Sequence, residues 1–82
     1  MTVVTVYTRP DCHLCLEAMD ALIGLYVDGY RFELHEVDIE SEELLLKRLL
    51  EKIPVVEIDG EVVSELVLDE AAVRARLDTV GA

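Results

Sequence analysis

The period of the apolar residues changes once between Val3 and Val27, and that change constrains the fold more than any other feature of the chain. Residues Val3 to Thr8, VVTVYT, are β-branched or aromatic almost without interruption and stop at Arg9-Pro10. Such a run reads as a strand, and its near-continuous strand formers suit a central position in a sheet. From Cys12 the spacing turns helical. Cys15, Met19, Leu22, Ile23 and Tyr26 make one stripe, and His13, Glu17, Asp20, Gly24 and Asp28 the opposite one. Asp11 stands where an N-cap belongs, and Asp28-Gly29 supplies the stop.

The next segment, Tyr30 to Asp38, alternates apolar and polar through Tyr30, Phe32 and Leu34, which predicts a second strand. A strand, helix and strand joined in this way form a right-handed crossover with parallel strands. Ser41 can cap a second helix over Glu42 to Lys52 with Leu45, Leu46, Leu49 and Leu50 on its face. That helix must stop before Pro54, which disfavours the helical region for Ile53. In VVEI-DG-EVVS, Asp59-Gly60 separates two short strand runs, a strong signal for a two-residue hairpin. Asp69 can cap a last helix through Ala71, Val73 and Leu77, fraying at Gly81. The predicted order is β-α-β-α-β-β-α, an α/β fold whose four-stranded mixed sheet is flanked by helices. No linker or repeat interrupts it, so residues 1–82 form a single domain.

Composition narrows the function classes. No apolar run is long enough to span a membrane, and MTVVTVYT has neither a basic segment nor a small-residue cleavage pattern, so a cytoplasmic location is expected. In that compartment a lone cysteine pair seldom forms a permanent structural disulfide. The chain carries 18 acidic residues against 7 basic ones, a net charge of −11. No basic stripe is available to neutralise phosphates, so nucleic acids and anionic membranes are not expected partners. Cationic or neutral partner surfaces fit better.

Cys12 and Cys15 are the only cysteines, and they fall where the first strand gives way to the first helix. The first turn of a helix leaves backbone N–H groups unpaired and carries roughly half a positive charge. A thiolate at Cys12 would be stabilised there, lowering its pKa from the free value of about 8.5. Cys15 lies one turn further on the buried stripe, within reach of the first sulfur but shielded. It is placed to resolve a mixed disulfide. His13, when protonated, and Arg9 would add positive charge beside Cys12, against the pull of Asp11 and the net negative field. A C-x-x-C beside a β-α-β pattern is the redox reading. Two other readings stand beside it: both cysteines as small core residues, or as half of a metal or iron–sulfur site completed by a second chain, since about four ligands are needed.

YTRPDCHLC after the first strand and KIPVVEIDG after the second helix resemble a glutaredoxin, within the thioredoxin fold, over nearly the whole chain. The small glutaredoxin-like proteins with a C-H-L-C motif are the most similar group. The resemblance implies a sheet order of 2-1-3-4 with the third strand antiparallel to the first. It also implies a cis Pro54 against the cysteines, an Ile53 backbone that pairs with the substrate chain, and an Arg9 that helps hold a carboxylate of glutathione. The chain departs from the pattern in three places. His13 replaces the proline common after the first cysteine, Ser64-Glu65 replaces a glycine pair that receives the γ-glutamyl end of glutathione, and Val67 replaces an acidic residue.

The other chemistry-bearing residues have plain expectations. His35 is expected on the strand surface, and Tyr7 beneath the active loop with its hydroxyl seeking a partner. Asp38, Glu40, Glu42 and Glu43 are expected to form a solvated face that favours the N-terminus of the second helix. The sequence therefore points to a monomeric thiol–disulfide oxidoreductase with no resident cofactor, acting on protein or small-molecule disulfides. Cys12 and Cys15 would be catalytic, Arg9 and His13 would tune them, and Arg9, Ile53 and Pro54 would bind substrate. Glutathione or thioredoxin reductase would supply electrons. The alternatives are a non-catalytic binding module on the same fold and a metal or iron–sulfur module.

Overall fold

The computed structural model describes all 82 residues, Met1–Ala82. The elements run β1 (Val3–Thr8), α1 (His13–Val27), β2 (Glu33–Asp38), a 3-10 turn (Ile39–Ser41), α2 (Glu43–Leu49), β3 (Val55–Ile58), β4 (Glu61–Ser64) and α3 (Glu70–Thr79). The strands form one sheet in the order β2-β1-β3-β4. β1 is parallel to β2 and antiparallel to β3, which is antiparallel to β4. This is the thioredoxin-like, glutaredoxin-type arrangement expected from the sequence. None of the helices is long and apolar enough to cross a membrane.

Pleating sends alternate residues of β1 to opposite sides of the sheet. On one side Val4 and Val6 meet Leu22 and Leu25 of α1, Phe32, Val56 and Ile58 of β3, and Val73 and Leu77 of α3. Elsewhere Cys15, Ile39 and Ile53 form a smaller cluster, against which Tyr7, Cys12 and the α2 leucines Leu45, Leu46 and Leu49 pack. Burying one such aliphatic side chain stabilises by roughly 1.5–3 kcal/mol. The larger cluster, with nine buried members against three, supplies most of the stability.

Local chemistry explains where element ends differ from expectation. The buried face of α1 is Cys15, Ala18, Leu22 and Leu25, with Ile23 and Tyr26 half exposed. The helix is apolar on several sides, so period alone mis-assigns its face. Tyr26 instead stacks edge-on against Phe32 and lies under the Arg31 guanidinium. α1 closes with Gly29 at a φ of 121°, and Gly29 and Tyr30 donate to the carbonyls of Tyr26 and Leu25. This is a Schellman closure. It takes up the Tyr30 N–H, and β2 begins at Glu33, whose N–H donates to the Thr2 carbonyl.

α2 is shorter than expected at both ends. Ser41 does not cap it but sits in the 3-10 turn, donating its hydroxyl to the Asp38 carbonyl, and Glu42 takes the N-cap position without a side-chain bond. At the other end the N–H groups of Lys52 and Ile53 converge on the Leu49 carbonyl and close the helix, and Leu50, expected on its buried face, is 43 % exposed. The Asp59-Gly60 hairpin forms as expected, with φ positive at both residues (50° and 88°) as a type I′ turn demands. The Asp59 carboxylate accepts the Val3 N–H at 2.9 Å and anchors the turn to β1. Asp69 caps α3 by accepting from Ala72, but Ala71 faces solvent while Val73 and Leu77 are buried.

Candidate functional site

The site grows out of the turn between β1 and α1. Asp11 occupies the left-handed region at a φ of 61°, which aspartate tolerates better than most residues. That bend carries the chain one residue past the expected cap, so Cys12, and not Asp11, is the N-cap of α1. The Cys12 carbonyl accepts the first helical bond from Leu16, and its Sγ accepts the Cys15 N–H at 3.2 Å. A sulfur thus takes the place of a capping oxygen. It faces an otherwise unpaired backbone donor and the positive end of the helix. A hydrogen bond given to the charged form of a group favours that form.

Cys12 and Cys15 are joined as a disulfide, with their Cα atoms 5.2 Å apart. The two sulfurs differ in access. Cys12 is half-buried at the mouth of the helix, whereas Cys15 is 3 % exposed and packs with Ile39 and Ile53. The arrangement suits chemistry that begins at one sulfur and is completed by the other. A C-x-x-C disulfide before the first helix of this fold indicates redox activity.

The remaining candidates are placed unevenly around this pair. The Ile53–Pro54 peptide bond is cis and both residues are buried, Ile53 in the cluster that holds Cys15. Arg9 lines the same cleft as the disulfide, but its guanidinium is bound to Glu40 at 2.7 Å. His13 points away along its own helix, 3.6 Å from Glu17 with its side chain 87 % exposed. Its polar partner is therefore Glu17. His35 lies at the surface beside Glu33. The Ser64 hydroxyl accepts the Asp69 N–H at 2.9 Å, tying the loop ahead of α3 to the sheet. Within that loop Leu66 adopts a φ of 60° and donates to the Lys52 carbonyl. The Tyr7 hydroxyl donates to Glu57 at 3.2 Å; burial, and then the adjacent carboxylate, raises its pKa above the ordinary tyrosine value.

A cleft of about 420 Å³ opens on the disulfide, lined by Arg9, Asp11, Cys12, Cys15, Glu36 and Asp38 among others. Its acidic wall is what the sequence reading missed. Val6 is paired with Glu36 and Thr8 with Asp38, so the two carboxylates share one face of the parallel pair at its carboxyl end. The strand alternation that revealed Leu34 extends in phase to Glu36 and Asp38 and could have placed them. Contrary to expectation, Asp38 and Glu40 do not lie at the N-terminus of α2, where only Glu42 and Glu43 stand. Asp38 caps the 3-10 turn by accepting the Glu40 N–H at 2.8 Å, and Glu40 holds Arg9.

Residues 3–78 match the family described as Glutaredoxin-like domain (DUF836). No curated protein matches the chain. Among solved structures, the chain is similar to a protein of Nitrosomonas europaea at 27 % identity, with a TM-score of 0.79 over 92 % of this chain and 89 % of that one. A protein of X. campestris is 30 % identical, with a TM-score of 0.72 over 93 % of this chain and 96 % of the other. A thioredoxin from Halobacterium salinarum shares the fold at 18 % identity and a TM-score of 0.68, over 95 % of this chain and 73 % of that one.

Proposed function

The chain belongs to the glutaredoxin-like domain family, and from that premise we propose that it is a thiol–disulfide oxidoreductase working through the Cys12/Cys15 couple. The observation that carries this reading is the placement of the Cys12 sulfur as the N-cap of α1, hydrogen-bonded by the Cys15 N–H and bonded to the shielded Cys15 sulfur. In the reduced protein, the Cys12 thiolate attacks a substrate disulfide and expels one thiol, leaving a mixed disulfide. Cys15 then attacks the Cys12 sulfur and expels the second thiol, so two electrons pass to the substrate and the internal disulfide forms. An external thiol, glutathione or the dithiol of a thioredoxin reductase, returns the pair to the reduced state. The cytoplasm, with its reducing glutathione and thioredoxin systems, is the setting in which this cycle turns.

Around that couple, the Ile53 backbone and cis Pro54 are assigned to holding an extended substrate segment, and Arg9 to a substrate carboxylate when Glu40 releases it. His13, in the first turn of α1 next to Cys12, is assigned to tuning that thiol. The protein acts as a monomer on protein or small-molecule disulfides.

Two variants test the reading. Cys12→Ser should lower reduction of dithiodiethanol to the uncatalysed rate. Cys15→Ser should accumulate a mixed disulfide on Cys12, visible as an added thiol in the intact mass. Undiminished turnover by Cys12→Ser, or no turnover by the native protein with either reductant, would overturn the proposal and favour a non-catalytic binding module. Within one chain no three histidine, cysteine, aspartate or glutamate side chains converge on a common point. A metal or iron–sulfur module would therefore draw ligands from a second copy, and element analysis of purified protein would reveal it.

A further inference from the structure

The disulfide makes the cleft a reaction site; the side chains around it determine which substrates can approach. Three carboxylates line it, those of Asp11, Glu36 and Asp38, against one cation, Arg9. That cation is already paired: Glu40 Oε2 accepts from both Nε and Nη2 of Arg9, at 3.1 and 2.7 Å. Glu36 accepts the Thr8 hydroxyl at 2.9 Å and Asp38 accepts the Glu40 N–H at 2.8 Å. Both donors are neutral, so they fix the two carboxylates in place without cancelling their charge.

The opposing influence is the N-terminus of α1, which attracts anions with roughly half a unit charge that fades within one turn. It is outweighed by the acidic wall, and the net charge of −11 adds to the same side. Clefts lined by one sign of charge concentrate ligands of the opposite sign and raise their on-rates.

We infer that the cleft selects cationic disulfides over anionic ones, and that Glu40 sets this preference by sequestering Arg9. The inference rests on the oxidoreductase reading and names its substrate class: disulfides flanked by ammonium or guanidinium groups, in a small molecule or a basic peptide. A polyanionic disulfide such as oxidised glutathione would meet carboxylates on the wall and no free cation. The chemistry is the exchange described above. The dithiol is oxidised to the Cys12–Cys15 disulfide while the substrate disulfide is reduced to two thiols, and the entering group's charge alters only how often it arrives and how well it is held.

The test uses the reduced full-length protein and three disulfides of similar size: cystamine (cationic), dithiodiethanol (neutral) and dithiodipropionate (anionic). The rate of internal disulfide formation with each is divided by the rate of dithiothreitol with the same compound, which removes intrinsic reactivity. In about 10 mM salt, where the screening length is about 30 Å, cystamine should exceed dithiodipropionate by about tenfold or more. In about 1 M salt, where it is about 3 Å, the ratio should fall towards about twofold. Glu40→Gln should raise the dithiodipropionate-to-dithiodiethanol ratio severalfold by freeing Arg9. The double variant Glu36→Gln/Asp38→Asn, whose amides keep the hydrogen-bond acceptors, should lower the cystamine-to-dithiodiethanol ratio.

Ratios read within one protein do not depend on how well a variant folds. Equal or inverted ratios in the native protein, with all three compounds reduced, overturn the charge selection and leave the oxidoreductase reading standing. Ratios unmoved by either variant overturn the assignment to these residues. Reduction of none of the three overturns both.

Discussion

The two hydrophobic clusters differ in size and in what they contain. The one between the sheet and helices α1 and α3 has nine buried residues, all aliphatic or aromatic, and no group that could do chemistry. The other has three buried residues, one of them Cys15, and is closed by α2, a helix with no buried residue of its own. Stability and reactivity are therefore housed apart, on one shared β1. The thinly covered side is where a sulfur can be shielded in one state and reached in another, because little packing has to be disturbed to move it.

The sharpest way to break this division is from the large cluster. Leu22 is fully buried among Val4, Val6 and Leu77, so Leu22→Ala should destabilise by about 3 kcal/mol, within the range for buried Leu truncations. Urea unfolding should show the loss, while the rate of disulfide exchange per folded molecule stays unchanged. A change in that rate would mean that the two clusters are coupled.

Ile53→Ala sharpens the comparison from the other side. Ile53 is 8 % exposed in a cluster whose α2 neighbours are only half-buried, so its truncation should cost about 2 kcal/mol, the low end of such changes. It should also speed alkylation of the Cys15 thiol in reduced protein, by opening the wall beside it. Leu22→Ala should not. Leu49→Ala, on the half-buried face of α2, should cost about 1 kcal/mol, close to the transfer value of one buried methylene, because much of the side chain is already in contact with water.

The same division explains what the sequence made legible. The strand order, the crossover and the hairpin follow from β-branched runs and Asp59-Gly60, whose local chemistry leaves few alternatives. The redox pair was legible from its position between two periods. The cap was not: Asp11 is the better capping residue by type, but the left-handed bend at Asp11 moves the helix start to Cys12. The acidic wall was obscured because Asp38, with Glu40, reads as the solvated approach to the second helix, while Glu36 reads as one more polar residue of the second strand. Only the pairing of β2 with β1 turns Glu36 and Asp38 towards the disulfide. Alternation along β2 gives their shared face with Leu34; the register across strands, which no local pattern records, gives that face its place beside the disulfide.

Tyr7 yields an effect no larger than that of Leu49→Ala, and the most specific one. It packs on the small cluster, and its hydroxyl donates to Glu57, which burial and the carboxylate together reflect in a raised pKa. A tyrosine held protonated more tightly in the folded state than in the unfolded one stabilises fully below the ordinary value of about 10, and loses that contribution as pH rises through its folded pKa. Tyr30, whose hydroxyl donates to Asp78 at 2.8 Å on the surface of the large cluster, is raised in the same direction. Alkaline unfolding should therefore draw on both sides of the sheet. Tyr7→Phe removes one hydrogen bond to a charged but half-exposed partner, so it should cost about 1 kcal/mol at neutral pH. Above pH of about 10 the gap between variant and native protein should narrow, since the native protein loses the same bond by ionisation. A gap that stays constant to high pH would show that the hydroxyl acts through packing alone, and would remove Glu57 from the account of why the small cluster holds.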